Sequence, residues 1–133
     1  MGKKEDYKLK NEAFLESLRQ EKEVQELPCG ILYRVLQTGE GERTPQLNSI
    51  VTVHYTGSLI NGRVFDDSRE RKFPEAFRLR EVITGWQIAL QRMHVGDRWE
   101  IYIPAAVGYG SRTSGPIPGN STLVFDVELL GIA

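Results

Sequence analysis

The stretch Ile50-Val51-Thr52-Val53-His54-Tyr55-Thr56-Gly57-Ser58-Leu59 alternates apolar and polar side chains with period two. Val51, Val53 and Tyr55 share one face and Thr52, His54 and Thr56 the other, the pattern of a strand with one buried side. Asn61-Gly62 follows and predicts a two-residue type I′ turn, in which both central residues take positive φ. Val64-Phe65 then begins the return strand. Pairing of this kind builds an antiparallel sheet whose faces differ in polarity.

The pattern extends outward in both directions. Ile31 to Leu36 is a strand that stops at Gly39 and Gly41, and Ala76 to Leu79 is a short one. Trp86, Ala89, Leu90 and Met93 carry helical spacing, with Thr84 as the expected N-cap and Gly96 past the end. Arg98 to Ile103 alternates again, residues 108–120 form a loop dense in Gly, Pro and Ser, and Leu123, Phe125, Val127 and Leu129 mark a last strand. These elements give an α+β fold, an antiparallel β-sheet of about five strands packed on one short α-helix.

Residues 1–27 differ in kind. They hold no proline, their one glycine is Gly2, and they are rich in Glu, Lys, Gln and Leu. A helix is expected from about residue 6 to 25, with Ala13, Phe14, Leu15 and Leu18 as its apolar stripe. A lone helix of ~20 residues is marginal in water. The stripe therefore needs either the following domain or a second copy, which leaves a homodimer through residues 1–27 open. The expected division is an N-terminal helical extension, 1–27, and a domain, 28–133.

The 133 residues suffice for one such domain. Lys plus Arg number 17 against 18 Asp plus Glu, so no strong field exists for nucleic acid or an anionic membrane. One cysteine, Cys29, cannot form an internal disulfide, and with two histidines a structural zinc site is not expected. No apolar run approaches the ~20 residues of a spanning helix. The N-terminus lacks an apolar leader, which predicts a cytoplasmic protein, or a periplasmic one if a leader has been removed.

The catalytic inventory is mostly negative: no Gly-x-Ser-x-Gly, no phosphate loop, and no histidine near Cys29 in a nucleophilic pattern. Asp66-Asp67 could be paired acids, but at least one is better read as a turn cap before Ser68. What stands out is aromatic content at strand ends and loops. Tyr55, Phe65, Phe77, Trp86, Tyr109 and Phe125 could each be core, yet a sheet with a helix on one face could gather them into an apolar pocket with Tyr109 and Asp66 as polar anchors.

Val53-His54-Tyr55-Thr56-Gly57, Gly62-Arg63-Val64-Phe65-Asp66-Asp67-Ser68 and Val82-Ile83-Thr84-Gly85-Trp86 closely resemble the FKBP family of peptidyl-prolyl cis-trans isomerases. The likeness runs on through Met93-His94-Val95-Gly96-Asp97, Ile103-Pro104, Gly108-Tyr109-Gly110, Ile117-Pro118 and residues 122–130, in order. The helical leader before Leu27-Pro28-Cys29-Gly30-Ile31-Leu32-Tyr33 is similar to the bacterial branch that includes the macrophage infectivity potentiators.

The resemblance implies five to six antiparallel strands wrapped around a short helix. It implies rotation of X–Pro peptide bonds in peptides and partly folded proteins, assisting folding, with no cofactor, metal or covalent intermediate. Carried over, Trp86 is the floor for the proline ring and Tyr55, Phe65 and Phe125 its walls. The Ile83 N–H and Tyr109 hydroxyl bind substrate carbonyls, Asp66 lies beside the twisting amide, and Arg71 pairs with that carboxylate. Val82, Phe77 and Ile117 complete the substrate contacts. Tacrolimus- or rapamycin-like macrolides are further implied ligands. Four departures bear on ligand preference: Glu75 where eukaryotic members have a rim aromatic, a shorter segment from Phe77 to Glu81, the loop Ser111 to Pro116, and Pro118-Gly119 in place of Pro-Pro. Two other readings stay open, a proline-recognition module without turnover and a holdase built on paired N-terminal helices.

Overall fold

A computed structural model describes residues 2–133. In chain order the elements are α1 (Lys3–Arg19), β1 (Gln25–Glu26), β2 (Leu32–Gln37), β3 (Ile50–Ser58), β4 (Val64–Asp67), β5 (Glu75–Arg78), α2 (Thr84–Leu90), β6 (Arg98–Ile103) and β7 (Leu123–Ile132). The seven strands form one sheet in the order β1-β2-β6-β7-β3-β4, with β5 also on β3, and the paired strands run antiparallel. β4 and β5 share one edge of β3. Thr56 to Ser58 pair with β4, whereas Ile50 to Val53 pair with β5. The turn between them thus hangs off the middle of that edge.

The period-two reading of β3 holds along its length, with Val51, Val53 and Tyr55 buried. Their face packs on α2. Trp86, Ala89 and Leu90 meet Val51, Val53, Ile101, Ile103, Val127 and Leu129 in the main core. At ~25 cal/mol per Å² this apolar burial is the dominant favourable contribution to the fold.

Several expected details are corrected. Helix α1 begins at Lys3 and stops at Arg19, because the chain turns at Gln20 to place β1 beside β2. Its seam is Asn11, Leu15 and Leu18, with Phe14 half-buried and Ala13 exposed. The stripe lies on the outer face of the chain's own sheet, against Leu32 and Tyr102, with Val24 and Val124 beside them. The sheet is thereby covered by a helix on each face, which is why Ile101, Tyr102 and Ile103 are buried consecutively.

The β3–β4 connection is not a two-residue turn. Leu59 N–H donates to the Arg63 carbonyl and Gly62 N–H to the Leu59 carbonyl, both at 2.9 Å. Gly62 has φ +89° and Asn61 is not left-handed. Asn61 instead accepts the Arg63 N–H on its side chain at 3.0 Å, giving a three-residue loop with a glycine bulge. At α2 the N-cap is Ile83, not Thr84. Its carbonyl accepts the Trp86 and Gln87 N–H groups, and no side chain caps the helix. The helix ends at Leu90, short of Met93, and Gly96 (φ +95°) serves the turn into β6.

Candidate active site

A cavity of about 360 Å³ opens between α2, β3, β4, β5 and the start of β7. Trp86, on the first turn of α2 and 4 % exposed, closes its base. Three rings stand perpendicular to it: Tyr55 at 5.2 Å and 87°, Phe125 at 5.3 Å and 84°, and Phe77 at 5.7 Å and 89° between centroids. Phe65 packs edge-on against Phe125 at 5.7 Å. Edge-to-face contacts of this kind fix ring orientation as well as burying area. The strand period explains the grouping. Tyr55 points inward from β3, Phe65 from β4, Phe77 from β5 and Phe125 from β7, so four strands each contribute one ring. Gly57 leaves the room for this. A Cβ there would lie 2.7 Å from Phe125 and 2.8 Å from Phe65.

One side of the cavity is charged. The Tyr55 hydroxyl donates to Asp66 Oδ2, Arg71 Nη1 donates to Asp66 Oδ1 at 2.6 Å, and Arg71 Nη2 donates to Glu75 at 3.2 Å. Burial, and then the bond to Asp66, push the Tyr55 hydroxyl up to about 12. Burial also raises the Asp66 carboxyl, but the bonds from Tyr55 and Arg71 and the Arg71 charge outweigh it and hold the group below the usual carboxylate range. Asp66 is therefore an anion near neutral pH, held by two donors. Asp67 plays the cap expected of one of the two acids, accepting the Arg69 and Glu70 N–H groups.

Val82, Ile83 and Tyr109 complete the rim. The Tyr109 side chain is 44 % exposed, and among the described residues neither its hydroxyl nor the Ile83 N–H has a hydrogen-bond partner. Trp86 Nε1 is buried without one as well. Of the residues singled out in the sequence, Arg71 and Ile117 are not among those that line the cavity, and Arg71 reaches it through Asp66. Ile117 is 5 % exposed and packs in the same core cluster as Tyr55, Trp86 and Phe125.

Two contributors were not singled out. Glu81 lines the mouth, brought there by the short 3-10 turn Leu79–Glu81 that ends at Val82. Ser68, fully buried, accepts the Tyr55 N–H at 2.7 Å and bonds His54 Nδ1 at 2.9 Å, so it holds the chain after β4 against the strand that carries Tyr55. A lone serine after two acids gave no signal beyond a turn. Among the described residues no cluster of His, Cys, Asp or Glu could hold a metal, and no helix is long and apolar enough to cross a membrane.

Residues 41–130 match the family model of FKBP-type peptidyl-prolyl cis-trans isomerases. Over 124 residues the chain is 46 % identical to the peptidyl-prolyl cis-trans isomerase Mip of Coxiella burnetii, covering 92 % of this chain and 54 % of that one. It is 45 % identical over 120 residues to the macrophage infectivity potentiator of Trypanosoma cruzi, covering 90 % and 61 %. Among solved structures, FkpA of Escherichia coli superposes with a TM-score of 0.91 at 39 % identity, over 96 % of this chain and 60 % of that one. A peptidyl-prolyl cis-trans isomerase of Pseudomonas syringae pv. tomato does so with a TM-score of 0.91 at 35 % identity, over 100 % and 98 %. The chain spans about half to three-fifths of the length of these two curated relatives.

Proposed function

Since the chain belongs to the FKBP-type peptidyl-prolyl cis-trans isomerase family, we propose that it catalyses rotation about X–Pro bonds in peptides and partly folded proteins. The observation that carries this reading is the cavity itself, an aromatic box beside an anchored carboxylate with free donors at its rim.

Rotation about a peptide bond must break amide resonance, a barrier of ~18–20 kcal/mol. The two X–Pro isomers differ by only about 0.5–1 kcal/mol, so rate is what a catalyst supplies. The planar amide separates more charge than the twisted one. Seating the prolyl ring on Trp86, between Tyr55, Phe65 and Phe125, removes water that favours the planar form. The Ile83 N–H and Tyr109 hydroxyl, which line the cavity and lack a partner among the described residues, take the flanking carbonyls in this reading and hold one end of the bond while the other turns. Asp66, kept ionised by Arg71 and Tyr55, faces the changing carbonyl dipole. Lowering the barrier by about 5–8 kcal/mol gives roughly four to six decades of rate. No bond to the substrate is made, so neither a nucleophile nor a metal is required.

A tacrolimus-like macrolide, with a proline-like ring and flanking carbonyls, would compete for the same cavity. Glu75, held by Arg71 where eukaryotic members carry a rim aromatic, is the departure that bears most on its affinity. The buried face of α1 is taken by the chain's own sheet, so a homodimer through residues 1–27 would use the opposite face, where Leu9 is exposed.

The test is a prolyl-isomerisation assay on a short X–Pro–Phe peptide, with and without tacrolimus. Fast exchange suppressed by the drug is expected. A cavity that binds the drug but leaves isomerisation at the uncatalysed rate would replace this reading with a proline-recognition module.

A further inference from the structure

Helix α1 is remote in sequence from the cavity, yet its polar side chains reach the loop that carries Tyr109. Asn11 is 2 % exposed in the apolar seam. Its Oδ1 accepts the Thr122 N–H at 2.8 Å, and its Nδ2 donates to the Tyr7 carbonyl at 2.8 Å. A turn above, the Tyr7 hydroxyl lies 2.7 Å from Ser121 Oγ. Ser121 donates its own proton to the Pro118 carbonyl at 2.6 Å, so Tyr7 is the donor in that pair. Between these anchors, the Asn120 N–H donates to the Gly110 carbonyl at 2.9 Å, and Gly110 N–H donates to Ala105 at 2.8 Å. Gly110 adjoins Tyr109 in the chain.

Packing adds little to this attachment. A crevice of about 370 Å³ separates α1 from the Tyr109 loop, lined by Lys8 and Leu15 on one side and Pro104, Ala105 and Gly110 on the other. A further constraint sits on the loop's inside. Gly119 passes so close to Ser111 that a Cβ would lie 2.2 Å from its carbonyl oxygen. Movement of residues 118–122 is therefore transmitted to 110–111.

We infer that Tyr7 and Asn11 are positioning residues, which set the Tyr109 hydroxyl over the cavity through residues 118–122. This rests on the isomerase reading given above. It makes α1 part of the catalytic body and not only a cover for the sheet.

The test is Tyr7→Phe, which removes one oxygen from a half-buried site, combined in a cycle with Tyr109→Phe. Asn11→Ala serves as a second probe. In the full chain, amide exchange at Gly110 and Asn120 is expected to quicken by about two- to tenfold, the effect of losing one ordinary hydrogen bond. Val127 in the core strand should not change. The kcat/KM for an X–Pro–Phe peptide should fall by a similar factor, and the fall should vanish when Tyr109 is already Phe. Unchanged exchange at both loop amides overturns the inference. So does faster exchange with unaltered kcat/KM, or an equal fall in both backgrounds, which marks general loosening. An unmodified chain that does not isomerise the peptide refutes the isomerase reading itself, a separate result from an active chain with an additive cycle.

Discussion

Replacing Gly57 by alanine separates the cavity's shape from the fold's stability. Gly57 lies in β3 beside a register shift but is not left-handed, so alanine's reduced unfolded-state freedom favours folding by about 0.4–1 kcal/mol. The new Cβ, however, would sit 2.7–2.8 Å from Phe125 and Phe65, where ordinary contact begins at 3.4 Å, so the two rings must retreat by ~0.6–0.7 Å. Overpacking of this sort costs about 1–3 kcal/mol. The net loss of stability is then about 0–2.5 kcal/mol, measurable by urea denaturation. The rings concerned are walls of the cavity, and a displacement approaching 1 Å can cost up to about a hundredfold in rate. We expect kcat/KM for an X–Pro–Phe peptide to fall by roughly tenfold or more, mainly through KM. Gly131→Ala is the control, since its Cβ would meet nothing nearer than Thr52 at an ordinary 3.8 Å. It should leave kcat/KM unchanged. If Gly57→Ala keeps kcat/KM within about twofold of the parent chain while the fold is intact, the Phe65–Phe125 wall does not seat the prolyl ring.

The outer helix gives a second expectation. Leu18→Ala, at a side chain 7 % exposed against Leu32 and Tyr102, should cost about 2–3 kcal/mol in urea denaturation. A third concerns alkali. Tyr55 is raised to about 12 in the fold against about 10 when unfolded, so its contribution is complete below about pH 10 and is lost as pH rises toward 12. Tyr55→Phe should flatten that limb of the stability profile. Asp66 has the opposite sign. Its folded value is depressed, so its contribution is present above the unfolded value of about 4 and disappears as pH falls through the folded one, which acid titration of Asp66→Asn against the parent chain checks.

Much of this molecule was legible before its coordinates. Residues 50–58 declare themselves because one buried face enforces period two along β3, and a slip of one residue would expose Val51, Val53 and Tyr55 together. The aromatic grouping was legible only as a possibility, since a ring at a strand end reads the same whether it fills the core or a cavity. The resemblance, not the spacing, chose between them. What failed has nameable causes. Asn61-Gly62 fits two turns, and the longer one won because the Asn61 side chain could serve the Arg63 N–H. Asn11 was not singled out, because its partner, Thr122, lies 111 positions away. Ile117 lies in the core cluster behind the cavity's rings, a placement no local pattern announces.

The perpendicular rings around Trp86 carry an optical consequence. The chain has two tryptophans, and they sit in unlike surroundings. Trp86 closes the cavity's base, whereas Trp99 lies elsewhere, stacked on Tyr33 with centroids 4.1 Å apart and planes 17° from parallel. A molecule entering the cavity touches the first indole and not the second. Emission from Trp86 thus reports occupancy while Trp99 reports the integrity of the sheet. With Trp99→Phe to silence the background, the protein becomes a label-free gauge of whatever its cavity holds.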